Sequence, residues 1–266
     1  DNDFQYYSLL ESSNENMDNP VEVYTSSINT DSEYFIQDTD QGSVRYYQLK
    51  VVDIWGQETL SNIQIVDTNN WFIKHFGGSS LDRGESVQQT DDGGYIIAGY
   101  TDSYGNGSSD VWLIKTDQRG IQLWSSAIGS DIGDAGESVQ QTNDGGYIIS
   151  GWTWVGNGYR DVYLLKVDSN GEFDWERGFG GSDWDWSESV QQTDDGGYIL
   201  TGTTTITNKE QIWLIKTDAN GDEQWNQTFE GDNDFNGNSV KQTSDGGFIV
   251  VGDSGFDIWL IKTDSN

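Results

Sequence analysis

A chain of 266 residues with 45 acidic and 13 basic side chains carries a formal charge of −32, which repels phosphate and anionic headgroups and argues against nucleic acid or bare anionic membrane as partners. It has no cysteine and a single histidine, His75, so it needs no disulfide or metal to fold, histidine-based triads are disfavoured, and the redox compartment stays open. No apolar run reaches the ~18 residues of a membrane helix, and the opening on Asp1 without a Met or an apolar leader reads as a mature or excised segment.

Gly, Trp, Tyr, Asn and Asp are abundant while Pro occurs once, a balance that favours strands joined by tight turns and hence an all-β fold. The first region, 1–68, alternates β-rich runs at 4–10, 21–24, 34–36, 44–52 and 63–66 with polar turns. Five strands fall short of a sandwich. The stretch Tyr46-Tyr-Gln-Leu-Lys-Val-Val-Asp-Ile-Trp-Gly-Gln-Glu58, followed by Ser61-Asn62 and a last strand, resembles the F strand, FG turn and G strand of a fibronectin type III domain. That resemblance implies strand C at 4–12, C′ and E after it, and no strands A and B. One inner face of a two-sheet core would then lie open, to be covered by an upstream segment or by a strand donated from another copy.

From 69 onward one unit repeats four times. Its core reads Ser86-Val-Gln-Gln-Thr-Asp-Asp-Gly-Gly-Tyr95, Ser138-Val-Gln-Gln-Thr-Asn-Asp-Gly-Gly-Tyr147, Ser189-Val-Gln-Gln-Thr-Asp-Asp-Gly-Gly-Tyr198 and Ser239-Val-Lys-Gln-Thr-Ser-Asp-Gly-Gly-Phe248. The copies begin 52, 51 and 50 residues apart, a period that belongs to solenoids and propellers. In the second copy four strands are expected, a at 137–142, b at 146–151, c at 161–168 and d at 173–179. Strands b and c are apolar on both faces, as in Tyr95-Ile-Ile-Ala98 and Val111-Trp-Leu-Ile114, so each sheet must lie between neighbours, as propeller blades do.

Trp71-Phe-Ile-Lys-His-Phe-Gly-Gly78 matches the strand d of the second copy, Trp175-Glu-Arg-Gly-Phe-Gly-Gly181, whereas the fourth copy has no d of its own. The expectation is therefore a four-bladed β-propeller over 69–266, closed by the strand at 71–77 and preceded by an incomplete fibronectin type III-like β-sandwich over 1–68. The alternative use of the same strand is to complete a neighbour's last blade, which makes a swapped oligomer or filament. The repeat resembles the Ser-Val-Gln-Gln-Thr-x-Asp-Gly-Gly-Tyr propeller-like repeats of large secreted bacterial surface proteins, many of which carry fibronectin type III modules. This implies surface display and no defined reaction.

Chain direction puts the variable d–a and b–c loops at one end of the blades and the uniform turns at the other. Among those turns, Asp218-Ala-Asn-Gly-Asp222 reads as a hairpin, with a calcium loop as the alternative. In the loops, Trp152, Trp154, Trp184 and Trp186 with Asp185 set indole faces beside carboxylates, a pairing that grips a sugar; the alternative is that they cover blade edges. Glu85, Glu137, Glu188 and, in the fourth copy, Asn238 stand just before the same point of the innermost strand, forming either a hydrated acidic rim or a site for a hard cation such as Ca²⁺. Asp82, Asp134 and Asp185 repeat too, with Phe235 in the fourth copy.

Trp71, Trp124, Trp175 and Trp225 are expected to pack between blades, and Lys115, Lys166, Lys216 and Lys262 to pair with acidic groups on an adjacent blade. Asn106-Gly-Ser108 and Asn226-Gln-Thr228 are N-glycosylation sequons. No carboxylate pair is singled out for chemistry. The expectation is a non-enzymatic extracellular or cell-surface structural and adhesive protein that requires no cofactor, does not insert in the membrane, and assembles with other copies into a filament or surface layer through strand complementation of the incomplete N-terminal sandwich. A lectin-like propeller that binds extracellular glycans is the first alternative and a glycoside hydrolase the second.

Overall fold

The computed structural model describes residues 4–12, 16–26, 44–53, 55, 57–60, 64–67, 72–156, 158–231 and 234–265. The chain divides into two compact units, Asp1–Phe72 and Ile73–Asn266. All regular structure among the described residues is β, in antiparallel sheets.

The first unit holds β1 (Phe4–Ser12), β2 (Val21–Ser26), β3 (Val44–Asp53), β4 (Glu58–Leu60) and β5 (Gln64–Asp67), in the order β2-β1-β3-β4, with β5 also on β3. Two short strands thus stand where one last strand was expected, both paired to β3 at successive stretches, Val52↔Glu58 to Lys50↔Leu60 and Tyr47↔Gln64 to Val44↔Asp67. The strand expected at 34–36 lies outside the described residues. Lys50 ties the sheet across its width, 3.5 Å from Glu22 on β2 and 3.7 Å from Glu58 on β4.

The second unit contains four sheets, one per repeat. They comprise β6 (Asp82–Gln89), β7 (Tyr95–Thr101), β8 (Asp110–Thr116) and β9 (Gln122–Ile128); β10 (Asp134–Gln141), β11 (Tyr147–Val155), β12 (Tyr159–Val167) and β13 (Phe173–Phe179); β14 (Asp185–Gln192), β15 (Tyr198–Ile206), β16 (Lys209–Thr217) and β17 (Glu223–Phe229); and a three-stranded sheet of β18 (Asn236–Gln242), β19 (Phe248–Asp253) and β20 (Ile258–Thr263). Each is a meander in which every strand pairs with the next. The b–c hairpins are longer than expected: β11 and β12 run to Val155 and from Tyr159, which puts Trp152 and Trp154 on a strand rather than in a loop.

The Thr-x-Asp-Gly-Gly turns are built from their own side chains. In the first, Gly93 takes φ 81°, Thr90 and Gly93 amides close the turn, and Asp92 Oδ1 accepts from the Thr90 hydroxyl at 2.6 Å and the Gly94 amide at 2.9 Å. Lys115 on β8 then donates to both Asp92 oxygens, at 3.0 and 2.8 Å. Asp144 with Lys166, Asp195 with Lys216 and Asp245 with Lys262 repeat the arrangement. The lysine column therefore pairs within its own sheet, which corrects the expectation of a partner on the adjacent one. The reason is register: β7 starts at the turn and sets Ile96, two residues past Gly94, opposite Lys115.

Lys115, the Thr90 hydroxyl and the Gly94 amide hold the Asp92 carboxyl down to about 2. At Asp144 and Asp195 burial pushes upward, but the threonine, glycine and lysine donors outweigh it and bring each to about 2. A carboxyl lowered by folding contributes stability that is present above its unfolded value near ~3.9 and lost as pH falls through its folded value. The thermal midpoint should therefore hold or rise from pH 7 to 4 as self-repulsion is relieved, then drop steeply between about 4 and 2. A melting series across that range tests this, and an acid transition centred above pH 5 would contradict it.

Between sheets, the Ser-Val-Gln-Gln-Thr sequence works as a stitch. Ser86 Oγ accepts from the Val139 amide at 3.3 Å, Gln88 Oε1 from the Gln141 amide at 2.6 Å, and Gln141 Oε1 from the Asp91 amide at 2.9 Å. The same three bonds join the second sheet to the third and the third to the fourth. Around each stitch lies an apolar layer: Val111 and Leu113 meet Val139 and Ile149, Val162 and Leu164 meet Val190 and Leu200, and Ile212 and Leu214 meet Val240 and Val250. Trp124, Trp175 and Trp225 cap these layers on Tyr147, Tyr198 and Phe248, with ring centroids 5.8, 5.9 and 5.7 Å apart. At ~1.5–3 kcal/mol per buried side chain against ~1 kcal/mol per hydrogen bond, the apolar layer holds the joint and the stitch sets its register.

The series β6, β10, β14, β18 packs each innermost strand on the next, and among the described residues the matching apolar positions at its two ends stay exposed. Val87 is 66% exposed where Val139, Val190 and Val240 are buried, and Leu260 is 72% exposed where Leu113, Leu164 and Leu214 are buried. The closing strand expected at 71–77 does not form. Residues 72–78 carry no strand and β20 is a sheet edge among the described residues, while Trp71 lies outside them. Phe76 stands five positions after Trp71, whereas Phe179 and Phe229 stand four after Trp175 and Trp225. In an extended strand, whose side-chain period is two, an offset of four keeps both rings on one face and an offset of five does not.

Candidate functional site

A β-bulge in every innermost strand builds the site. Pairing skips one residue between Gly84 and Ser86, Gly136 and Ser138, Ser187 and Ser189, and Gly237 and Ser239. The skipped residues are Glu85, Glu137, Glu188 and Asn238, so the column that sequence spacing picked out is the column of bulge residues, each re-aimed away from the pleat.

The three glutamates form one acidic neighbourhood. Burial pushes the Glu137 carboxyl up, and the charges of Glu188 and Glu85 add to it; burial likewise raises Glu188, with Glu85 adding. Each has a local partner: Arg83 lies 2.6 Å from Glu85, Trp152 Nε1 donates to Glu137 at 3.0 Å, and Trp186 donates to Glu188. Asn238 is turned to Asp253, donating at 2.8 Å. Among the described residues no three acidic or imidazole side chains converge closely enough to hold a metal ion. The Asp218 turn uses its own carboxylate, which accepts from the Asn220 and Asp222 amides at 2.8 and 2.9 Å.

Beside Glu137 and Glu188 opens a cleft of about 500 Å³, walled by Trp152, Trp184 and Trp186 and rimmed by Thr205, Asn208, Glu210 and Asp234. The b–c hairpins and d–a loops form it together, joined by backbone bonds from Trp154 to Gly133 and from Thr205 to Trp184. Thr207 and Asn208 both take positive φ, 52° and 60°, the two-residue turn that ends the third hairpin at the cleft. Trp154 stands behind the wall, edge-on to Trp184 at 5.3 Å and to Trp152 at 6.3 Å.

Arg160, also in the lining, was not singled out from the sequence. Its guanidinium carbon lies 3.7 Å from the Trp152 ring centre, 4.9 Å from Trp154 and 5.3 Å from Trp184, and its Nε is buried without a hydrogen-bond partner. It covers one face of Trp152, while the indoles meet edge-on, with ring planes at 88° for Trp152 and Trp154 and 70° for Trp154 and Trp184.

Asp185 does not line this cleft. It is 2% exposed and accepts from the Gly181 amide at 3.0 Å, closing its d–a loop, as Asp82 does from Gly78 and Asp134 from Ser130. Phe235 fills that place in the fourth copy, its ring where a side chain on Gly231 would stand. Burial pushes the Asp185 carboxyl up, and also that of Asp161, to which the Asp185 charge adds; each keeps one buried oxygen without a donor. This column is a loop clamp. Asn106 is exposed in the first b–c loop, while Asn226 sits on β17 with its amide between Trp213 and Glu223.

The chain matches no protein-family model, and no curated protein matches it.

Proposed function

We propose that this protein is a non-enzymatic adhesive protein displayed outside the cell, and that the cleft of its second and third repeats holds a carbohydrate. The observation that carries this reading is the juxtaposition of three indoles with four carboxylates and the Asn208 amide around one cleft, aromatic faces for sugar C–H groups and acceptors for hydroxyls. Four carboxyls, Glu137, Glu188, Glu210 and Asp234, against the single guanidinium of Arg160 disfavour uronic and sialic acids and favour neutral or amino sugars.

In this reading the four stitched sheets are propeller-type blades standing in an open series, supported by their shared joint and by apolar layers on both faces of the middle blades. The first unit is a fibronectin type III-like sheet without strands A and B. The order β2-β1-β3, with β4 and β5 sharing the outer place, supports it as C′-C-F-G.

A glycan array followed by titration calorimetry tests the cleft. Neutral or amino-sugar oligosaccharides should bind, and Trp184→Ala should weaken them at least tenfold, about 1.4 kcal/mol, in a variant that still melts cooperatively above the assay temperature, since Trp184 stands partly exposed at the cleft. Silence across neutral and amino sugars rejects the reading. Release of reducing ends from a bound glycan would instead assign Glu137 and Glu188 as an acid and base pair.

A further inference from the structure

We infer that the two open ends of the four-repeat series are the halves of one more joint, and that a second copy of this chain completes it, the β20 end of one copy docking on the first sheet of the next. The joint is the one this chain already makes three times. Its leading half consists of Ile96, Val111 and Leu113 in the first sheet and their counterparts in the second and third, all buried; in the fourth sheet the same positions are Ile249, Ile258 and Leu260, the last two 84% and 72% exposed. Its receiving half consists of Val139 and Ile149 and their counterparts, again buried; in the first sheet these are Val87, 66% exposed, and Ile97, half-buried. Every position left bare at one end has its complement bare at the other.

The backbone repeats this logic. β8, β12 and β16 each pair with a fourth strand, with Val111↔Ile128, Val162↔Phe179 and Ile212↔Phe229, whereas β20 has none among the described residues. Phe76 matches Phe179 and Phe229 in the repeat, and it already lies beside Gly84, Ile97 and Ile114 of the first sheet, as Phe179 and Phe229 lie against the sheets that follow them. Residues 73–77 are thus set as the last strand of a preceding blade whose other three strands are missing. β18 to β20 of a second copy supply those three, with Ile258 opposite Phe76. The contact is head-to-tail, so copies add in series rather than closing as a symmetric pair.

One residue sets the strength of this joint. The leading half needs an acceptor at the first glutamine of the stitch, Gln88, Gln140 or Gln191, and the fourth copy carries Lys241 there, which only donates. The intermolecular joint keeps two stitches of three, Ser239 to the Val87 amide and Gln89 to the Ser244 amide. It is weaker than the internal joints and opposed by the charge of −32 on each copy, so assembly is reversible and strengthened by salt.

Sedimentation and light scattering of the full chain in low and high salt test the inference. The wild type should form a concentration-dependent series, growing with salt. Val87→Asp and Leu260→Asp, both on exposed positions, should each give a monomer with an unchanged melting temperature, and mixing the two should give a single 1:1 dimer, because each variant keeps the half the other lacks. Lys241→Gln should lower the concentration needed for assembly about fivefold, the value of one hydrogen bond. Cysteine is absent, so Val87→Cys with Ile258→Cys reports who meets whom on mild oxidation. Cross-links between chains are expected; cross-links confined within single chains, or a wild type that stays monomeric at every concentration and salt, overturn the inference.

Discussion

Replacing Gly151 by alanine should cost more than about 4 kcal/mol and leave little folded protein at room temperature, an effect read directly by urea or thermal melting. Gly151 stands across β10 from the bulge that carries Glu137, and a β-carbon there would lie 1.9 Å from the carbonyl oxygen of Ala135. The obstacle is backbone, so no rotamer change relieves it, and shifting β10 breaks the stitch on both sides of the second sheet. Gly99, Gly202 and Gly252 face the equivalent carbonyls of Arg83, Trp186 and Asn236, at 1.9, 2.0 and 2.2 Å from where a β-carbon would stand. An exposed-turn control such as Gly145→Ala, where nothing lies within 4 Å but φ is 83°, should cost only about 1 kcal/mol. Equal costs at 145 and 151 would show that the bulge is not the constraint.

Asp195→Ala should destabilise the protein by about 3 kcal/mol, a large effect for a side chain 56% exposed. Its carboxylate accepts from Thr193 at 2.5 Å, from the Gly197 amide at 3.0 Å, and from Lys216 at 3.1 and 2.9 Å. Removing it leaves a lysine with 5% exposure to the Thr217 carbonyl and Gln224 alone. Lys216→Met, which fills the same volume without a charge, should cost less, about 1 kcal/mol, and the double variant should recover part of the Asp195→Ala loss. A double variant as unstable as the sum of the two would mean that the turn bonds, not the ion pair, carry the effect.

Much of this architecture is legible before any coordinates. The strand at 173–179 is found at Phe173–Phe179, because the flanking Asp-Ser-Asn-Gly turn and the next glycine pair bracket it. The glutamate column was found by spacing alone, yet its cause, a bulge, leaves only a faint trace: a Gly-Glu-Ser or Ser-Glu-Ser run facing a glycine on the next strand. The cleft's tryptophans stand out in the sequence, but the glycines around Trp152 and Trp154 suggest a loop where the hairpin of β11 and β12 is longer. Asp185 was chosen for its neighbours in sequence, whereas the loop it clamps turns it inward. Nothing in a linear chain marks Arg160 as the one guanidinium among indoles brought in from two segments, β11 and the loop before β14.

From the residues alone follow the all-β class, the four-fold unit, and the reason each sheet needs neighbours, because a local period and a two-faced apolar strand are properties of short stretches. Whether the last sheet meets the first, which carboxylate each lysine takes, and which side chains line one cleft were decided by tertiary structure. Those depend on register and on contacts between distant segments, which no short stretch of the chain contains.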